Sequence, residues 1–287
     1  MDLCDIGQIK SLLAGKGFRF SKGMGQNFLT AAWVPEQVAA DAGIDKQTGV
    51  FEVGPGIGCL TVQLASLAGK VVSVELDNAL KPVLNETLKD CDNTTVIFGD
   101  VLKLKIAEIV SENFAGMRPV VCANLPYNIT SPLISAFIEA GCFDSMTLMV
   151  QREVAHRICG SAGTSEYGAF TVYTNWYTEP EILFDVSPDC FMPAPKVWSS
   201  VIKMTVRKSP PAEVVDEKLF FAVVRASFNQ RRKTLLNALT SGLSGYSKES
   251  LRDVIVSCGF DERIRGETLD IKGFAAVSNK IAELIKG

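Results

Sequence analysis

The sequence has little histidine, little charge imbalance and no long apolar run, and each shortage closes off a class of function. A single histidine in 287 residues leaves no room for a histidine-rich metal centre. The eight cysteines (Cys4, Cys59, Cys91, Cys122, Cys142, Cys159, Cys190 and Cys258) never fall in C-x-x-C spacing, so no zinc site of the usual kind, and no metal, is expected. They read as reduced, mostly buried thiols in a cytoplasmic protein. Twenty-nine Lys and Arg stand against 32 Asp and Glu, a net charge of −3, so no global polybasic character points to a nucleic acid. The longest uncharged run, 119–138, has the length of a membrane span. Its Asn124, Pro126, Asn128, Thr130, Ser131 and Pro132 would break the helix and strand polar groups in lipid, so no membrane partner is expected. The acidic start, Met1-Asp2-Leu3-Cys4-Asp5, lacks the basic and apolar regions of a signal peptide.

What is present is a globular chain: 47% of its residues are hydrophobic and 21% charged, enough for a sizeable core and about two domains. From Thr48 to Gln151 short β-branched runs alternate with helical spacing. Residues 50–53, 71–74, 95–98, 120–123 and 147–150 predict buried parallel strands, with helices over 60–68 and 79–88. This alternation predicts a doubly wound α/β sheet with helices on both faces. After Gln151 the rhythm changes, and Phe170–Tyr177, Glu181–Val186 and Ser199–Val206 predict antiparallel strands at one edge. Lys208-Ser209-Pro210-Pro211-Ala212 is the linker candidate, dividing residues 1–208 from a small all-helical domain at 209–287. Helical spacing there covers 216–228, 233–239, 248–258 and 274–285.

Charge is uneven along the chain. Residues 196–233 hold nine bases against three acids, and residues 1–30 four against two, local sums of +6 and +2. Solvated faces would explain both, but their position flanking the α/β region suits a phosphate-binding surface.

The sharpest local motif is Glu52-Val53-Gly54-Pro55-Gly56-Ile57-Gly58, between the first strand and a helix. Glycines there allow a tight turn and let a ligand approach main-chain N–H groups. Glu75, 21 residues after Gly54, ends the second strand, where a carboxylate accepts hydrogen bonds from two ribose hydroxyls. The loop is G-x-G-x-G rather than G-x-G-x-x-G. That favours a nucleoside cofactor with no pyrophosphate to cradle, such as S-adenosylmethionine. Gly99-Asp100 ends the third strand, where an acceptor meets the exocyclic amine of an adenine.

Asn124-Leu125-Pro126-Tyr127 lies at the carboxyl end of the fourth strand. Its chemistry suits methylation of an aromatic exocyclic amine, whose lone pair is delocalised into the ring. Two acceptors, the Asn124 side chain and the Leu125 carbonyl, would draw that amine toward tetrahedral geometry. Tyr127 would stack on the base, and Pro126 would fix the turn.

On these motifs the chain resembles the adenine dimethyltransferases of small-subunit ribosomal RNA, within the class I methyltransferases. The likeness includes Phe18-Arg19-Phe20-Ser21-Lys22 leading into Gly25-Gln26-Asn27-Phe28-Leu29, and Phe191-Met192-Pro193-Ala194-Pro195-Lys196-Val197. It continues through Phe228-Asn229-Gln230-Arg231-Arg232-Lys233. The resemblance implies a Rossmann-like, mostly parallel sheet with an antiparallel edge, and a helical C-terminal domain that binds RNA or the ribosome. It implies that Gln26, Asn27 and Leu29, with Gly54, Gly56, Glu75, Leu76, Asp100, Val101 and Asn124, contact S-adenosylmethionine. Phe191 matches an aromatic that sandwiches the flipped adenine against Tyr127. Arg19, Lys22, Lys196, Arg231, Arg232 and Lys233 would hold phosphates, with residues 1–30 acting as an arm over cofactor and RNA. The implied substrate is a pair of adjacent adenosines in the 3′-terminal hairpin loop of small-subunit rRNA, within an immature subunit, met by a monomer.

Rival readings are a large-subunit rRNA methyltransferase conferring antibiotic resistance, which shares the Gly loop and the Asn-x-Pro-Tyr turn, and an assembly factor in which methylation is secondary. A DNA adenine methyltransferase lacks support, since no insertion looks like a base-sequence reader, and DNA is not an expected partner. A cytosine C5 enzyme would need a thiol where Asn124 stands. An NAD-dependent oxidoreductase remains only at the level of the fold. Met24, where the family pattern has leucine, is a minor departure, and His156 is assigned no role.

Overall fold

The computed structural model describes residues 1–18, 26–230 and 232–286, with side chains as far as Leu284. The chain divides into two compact units, Met1–Ala155 with Glu181–Val206, and His156–Pro180 with Arg207–Gly287.

The first unit is organised by a seven-stranded sheet. Strands β2 (Thr48–Val53), β3 (Lys70–Glu75), β4 (Thr94–Phe98), β5 (Arg118–Asn124) and β6 (Ser145–Gln151) run parallel in the order β4-β3-β2-β5-β6. Strand β9 (Ser199–Val206) joins β6 antiparallel, and β7 (Thr178–Val186) lies beyond it. Every residue of β2 is buried, as a central strand covered on both faces requires. Alternation along that strand serves both layers. Val50 joins a cluster with Leu64 of α3 (Cys59–Leu67) and Leu84 of α4 (Lys81–Thr87), together with Ile9 of α1 (Ile6–Gly15) and Val38 of α2 (Trp33–Asp41). Phe51 packs on Phe137 of α6 (Thr130–Ala140) and on Phe143, at centroid distances of 6.3 and 5.8 Å. Helix α5 (Ile106–Asn113) follows β4. A short antiparallel pair, β1 (Phe28–Leu29) with β8 (Phe191–Met192), stands apart from the main sheet. The mostly parallel sheet with an antiparallel edge matches the expected architecture.

One predicted strand is a helix. Phe170–Tyr177 forms α8 (Ala169–Tyr177), which begins as the Gly168 N–H donates to the Thr171 hydroxyl at 3.0 Å. Its β-branched and aromatic content suggested a strand, but Val172 and Trp176 stand four apart and bury one helical stripe. The Trp176 ring lies 4.3 Å from Phe220, so tertiary packing overrides local propensity. Segment 156–180 therefore clusters with the helical unit, although it precedes the Pro210-Pro211 linker in sequence.

In that second unit, α9 (Glu217–Asn229) is capped by Asp216, whose carboxylate accepts from the Lys218 and Leu219 N–H groups at 2.8 and 3.1 Å. Helix α10 (Leu235–Gly242) starts two residues later than its apolar spacing predicts, because the Thr234 hydroxyl caps it through the Asn237 N–H. Helices α11 (Lys248–Ser257) and α12 (Ile271–Lys286) complete a core containing Phe220, Leu239, Ile255 and Phe274. No helix among the described residues is long and apolar enough to cross a membrane.

Candidate active site

The strand-end candidates of the first unit meet where the strand order reverses, with β2 between β3 and β5. Doubly wound sheets open a crevice there, at the carboxyl ends of the strands. Gly54 leaves β2 with its N–H on the Val74 carbonyl (2.9 Å) and a φ of 71°. Gly56 has a φ of 60°, and a Cβ there would sit 3.1 Å from the Phe28 ring. The backbone is thus both left-handed and closely covered at Gly56, and a side chain would fill the space above the loop. A cavity of about 260 Å³ follows, lined by Gln26, Asn27 and Phe28 on one side and by the ends of β2, β3, β4 and β5 on the others.

Glu75, at the end of β3, lies in this cavity with 6% of its surface exposed. Its Oε2 accepts the Gly56 N–H at 3.2 Å and its Oε1 accepts the Asp77 N–H at 2.8 Å. Burial pushes its pKa up, while the Asp77 and Gly56 N–H groups pull it back. Each oxygen keeps a second lone pair, so the carboxylate is oriented and still able to accept two more hydrogen bonds. Leu76, 50% exposed, and Val101 also line the cavity. Asp100 caps a 3-10 turn at Val101–Lys103 through the Leu102 N–H (3.1 Å) and reaches the same space. Gln26 Nε2 donates to Asp77 Oδ2 at 2.8 Å, which ties the segment before β1 to the end of β3. Leu29 does not line this cavity. It is buried in β1 and borders a smaller recess beside Asn27, Gly56 and Asn124.

Asn124 closes β5, and the Leu125 N–H is held by the Met149 carbonyl at 3.0 Å. Pro126 begins a turn whose carbonyl accepts from the Ile129 N–H and the Thr130 hydroxyl, each at 3.2 Å. Tyr127 is half-buried, and its hydroxyl lies 2.6 Å from Ser199 Oγ of β9. Burial raises the Tyr127 pKa and Ser199 partly offsets it, so the ring stays neutral. Among the described residues, neither the Asn124 side chain nor the Leu125 carbonyl has a hydrogen-bond partner, and both residues border the cavity. Two acceptors are thus left to meet an incoming donor group.

The structure leaves other expected residues apart. Phe191 is only 4% exposed, packed in the core and paired in register with Leu29, and it does not line the cavity. Lys196 is exposed on the segment before β9. Arg232 and Lys233 are exposed ahead of α10, in the second unit. Arg19, Lys22 and Arg231 lie outside the described residues. His156 is exposed on α7 (Arg152–Ile158) and takes no part in the cavity.

Two contributors carry no role in the sequence reading. Ser199 anchors Tyr127, and nothing local in Trp198-Ser199-Ser200 signals it. Glu52 opens the Gly motif but points into the core, where Ser73 Oγ and Thr61 Oγ1 donate to its Oε2 at 2.6 and 2.8 Å. Burial pushes its pKa up to about 7 against those two hydrogen bonds. It buttresses the loop from beneath, and its place at the head of E-V-G-P-G was the available signal.

The residues fit a nucleoside-type cofactor on the structure's own terms: a left-handed glycine cradle that a Cβ would fill, and an oriented, buried carboxylate across from it. Comparison with known proteins agrees. The model of the ribosomal RNA adenine dimethylase family matches residues 17–265. The ribosomal RNA small subunit methyltransferase A of Geobacillus kaustophilus is 45% identical over 287 residues, covering 99% of this chain and 98% of its own. That of Listeria innocua is 44% identical over 289 residues, with the same coverage of 99% and 98%. Among solved structures, a dimethyladenosine transferase from Plasmodium falciparum superposes with a TM-score of 0.74 at 25% identity, covering 90% of this chain and 97% of that one. The 23S rRNA methyltransferase ErmE superposes with a TM-score of 0.69 at 24% identity, covering 89% of this chain and 100% of its own, a likeness of fold alone. With the family model spanning most of its length and the strand-end residues gathered at one crevice, the chain belongs to the ribosomal RNA adenine dimethylase family.

Proposed function

We propose that the chain dimethylates the N6 amines of two adjacent adenosines in the 3′-terminal hairpin loop of small-subunit rRNA, acting as a monomer on immature subunits in the cytoplasm. As a member of its family it is an S-adenosylmethionine-dependent rRNA adenine dimethyltransferase. The single observation that carries the site assignment is the pair of unengaged acceptors, the Asn124 side chain and the Leu125 carbonyl, beside the cavity that holds Glu75. Identity of 44–45% over nearly full length to small-subunit enzymes favours that subunit over the large one.

S-adenosylmethionine supplies an electrophilic methyl group when bound. Glu75 would accept hydrogen bonds from its ribose hydroxyls, Gly54 and Gly56 would admit it against the backbone, and Asp100 would accept from its adenine amine. Leu76 and Val101 would flank that ring, and Gln26 and Asn27 would close over the methionine end, backed by Leu29 from the adjoining recess. The target adenine is flipped out of its RNA stack. Asn124 and Leu125 would accept hydrogen bonds from its two N–H groups in the first transfer, and one of them from the single N–H left in the second, which localises the nitrogen lone pair. Pro126 sets the spacing of these acceptors, and Tyr127, held by Ser199, stacks on the base. Phe191, buried in β8 and paired with Leu29, would back the opposite wall of the base site. Arg19, Lys22, Lys196, Arg231, Arg232 and Lys233 hold phosphates, positioning the RNA without reading bases. Residues 209–287 act as the RNA- and ribosome-binding domain, and residues 1–208 carry the methyl transfer.

The test is incubation of the purified chain with labelled cofactor and under-methylated small subunits, followed by mapping of the modified bases. Label on two adjacent loop adenosines is the expected result. Label on large-subunit RNA, or none on RNA, refutes the proposal.

A further inference from the structure

The segment between β8 and β9 ends in Lys196-Val197-Trp198, and all three side chains are exposed. Trp198 shows 43% of its surface and Val197 44%. Phe51, Phe137 and Phe143 of the same unit are held inside, whereas Trp33, the other exposed indole, lies against the Phe184 ring at 5.8 Å. An indole left in water forgoes the burial that places such rings in cores and interfaces.

The ring is nonetheless fixed. Arg152, the first residue of α7, lays its guanidinium over the indole at 5.6 Å from the centroid. The Arg152 N–H donates to the Trp198 carbonyl at 2.9 Å. Asp185 lies 4.0 Å from the Arg152 guanidinium, and Asp185 itself accepts from Ser200 Oγ at 2.6 Å. At this half-exposed site the ion pair adds little stability, but it sets the direction of the guanidinium.

The position of the pair is as telling as its order. Arg152 and Trp198 extend the β6–β9 ladder one step past Gln151↔Ser199. Ser199 holds the Tyr127 hydroxyl. Parallel pairing sets Asn124 opposite Met149, so Arg152 stands three residues farther toward the carboxyl end of β6. At about 3.3 Å per residue that is roughly 10 Å along the strand. As successive residues, Ser199 and Trp198 direct their side chains to opposite sides of the ladder, so the platform stands past the strand ends, outside the cavity lining, where a nucleotide flanking the one being modified can reach it.

The geometry points to the Trp198–Arg152 pair as a second base-binding site, which stacks an unpaired RNA nucleotide flanking the target adenosine. The inference rests on the proposed rRNA substrate and adds a contact to it. An indole face accepts any base, and the guanidinium beneath it and nearby Lys196 complement the phosphates on either side. A base on the ring completes a base–indole–guanidinium stack. It would hold the loop splayed while the neighbouring adenine occupies the Tyr127 pocket.

The test compares wild type with Trp198→Ala, Trp198→Phe and Arg152→Ala, by initial rates on under-methylated small subunits and by tryptophan fluorescence on subunit binding. Trp198→Ala should raise KM for the subunit about tenfold, which is about 1.4 kcal/mol. Trp198→Phe, which keeps an aromatic face, should stay within about threefold of wild type. Wild type should show fluorescence quenching on binding that Trp198→Phe has lost, a signal independent of turnover and of how well the alanine variant folds. The inference is overturned if Trp198→Ala keeps the wild-type KM, if Trp198→Phe quenches as fully as wild type, or if only Arg152→Ala weakens binding. The last outcome would make the site a phosphate contact. Failure of the wild-type enzyme to label the subunit would instead refute the substrate reading, so the two failures are distinguishable.

Discussion

The two halves of the crevice differ in how complete they are. On the β3–β4 side, every strand-end group is already bonded: Glu75 accepts two backbone N–H groups, Asp100 caps a turn, and Gln26 is tied to Asp77. On the β5–β9 side, Asn124 and Leu125 have no partner among the described residues, and Phe191 is folded away in the core. On the proposed reading, the cofactor half is preorganised by the protein, while the base half awaits donors from its substrate. The contrast follows from the ligands. A cofactor met in every cycle is served by fixed dipoles, whereas a base extruded from RNA brings its own donors.

If the base half works by supplying acceptors, Asn124→Ala should give the largest loss. Turnover should fall at least about a hundredfold, the scale of removing one preorganised polar group, while binding to small subunits persists. Single-turnover rates on subunits retained by the variant check this, and a rate within tenfold of wild type would place the activation elsewhere.

The rigidity of the cofactor half can be probed from beneath, through Glu52. Its folded pKa of about 7 lies above the ordinary carboxylate value of 4.5, so its contribution to stability is full below about pH 4.5 and is lost as pH rises through about 7. The span corresponds to about 3 kcal/mol at most. Glu52→Gln keeps an acceptor for Ser73 and Thr61 without the titration. Denaturant unfolding from pH 4.5 to 8 should therefore show a flatter profile for the variant, and parallel profiles would refute the buried-carboxyl account.

Glu75→Ala sharpens the same contrast from the ligand side. It removes the ribose acceptor, and with it an anchor for the Gly56 N–H. S-adenosylmethionine affinity should drop by about 1.5–3 kcal/mol, the value of hydrogen bonds to a charged group. Calorimetry should find this loss with no matching loss of subunit binding. A folded variant with unchanged affinity would remove Glu75 from the site.

The smallest effect is expected from the second unit. Replacing Arg231 and Arg232 with alanine should weaken RNA binding and flatten its salt dependence by nearly one unit of slope per lost phosphate contact, leaving cofactor affinity intact. A wild-type salt slope would mark these residues as solvated neighbours of α10.

Much of the cofactor half was legible along the chain because its groups follow strands at regular spacing. Gly54, Glu75, Asp100 and Asn124 each close a β-branched run, and a parallel sheet aligns such ends. The helical unit was readable from its apolar stripes and its caps, Asp216 and Ser247 among them. What failed was local propensity at α8, where Val172 and Trp176 obey the helical core that they pack against.

The order of chemical groups along the sequence was enough to determine the sheet, its switch point and the identity of the strand-end residues, because periodicity and turn chemistry act over a few residues. Which of those residues are engaged, which wait, and which are hidden depended on pairing between distant segments. The β1–β8 ladder withdraws Phe191, Ser199 reaches Tyr127 across 72 positions, and Arg152 meets Trp198 only because β9 returns antiparallel to β6. Contacts of that range carry no local signature, since no short window of sequence contains both partners, and only the folded chain brings them together.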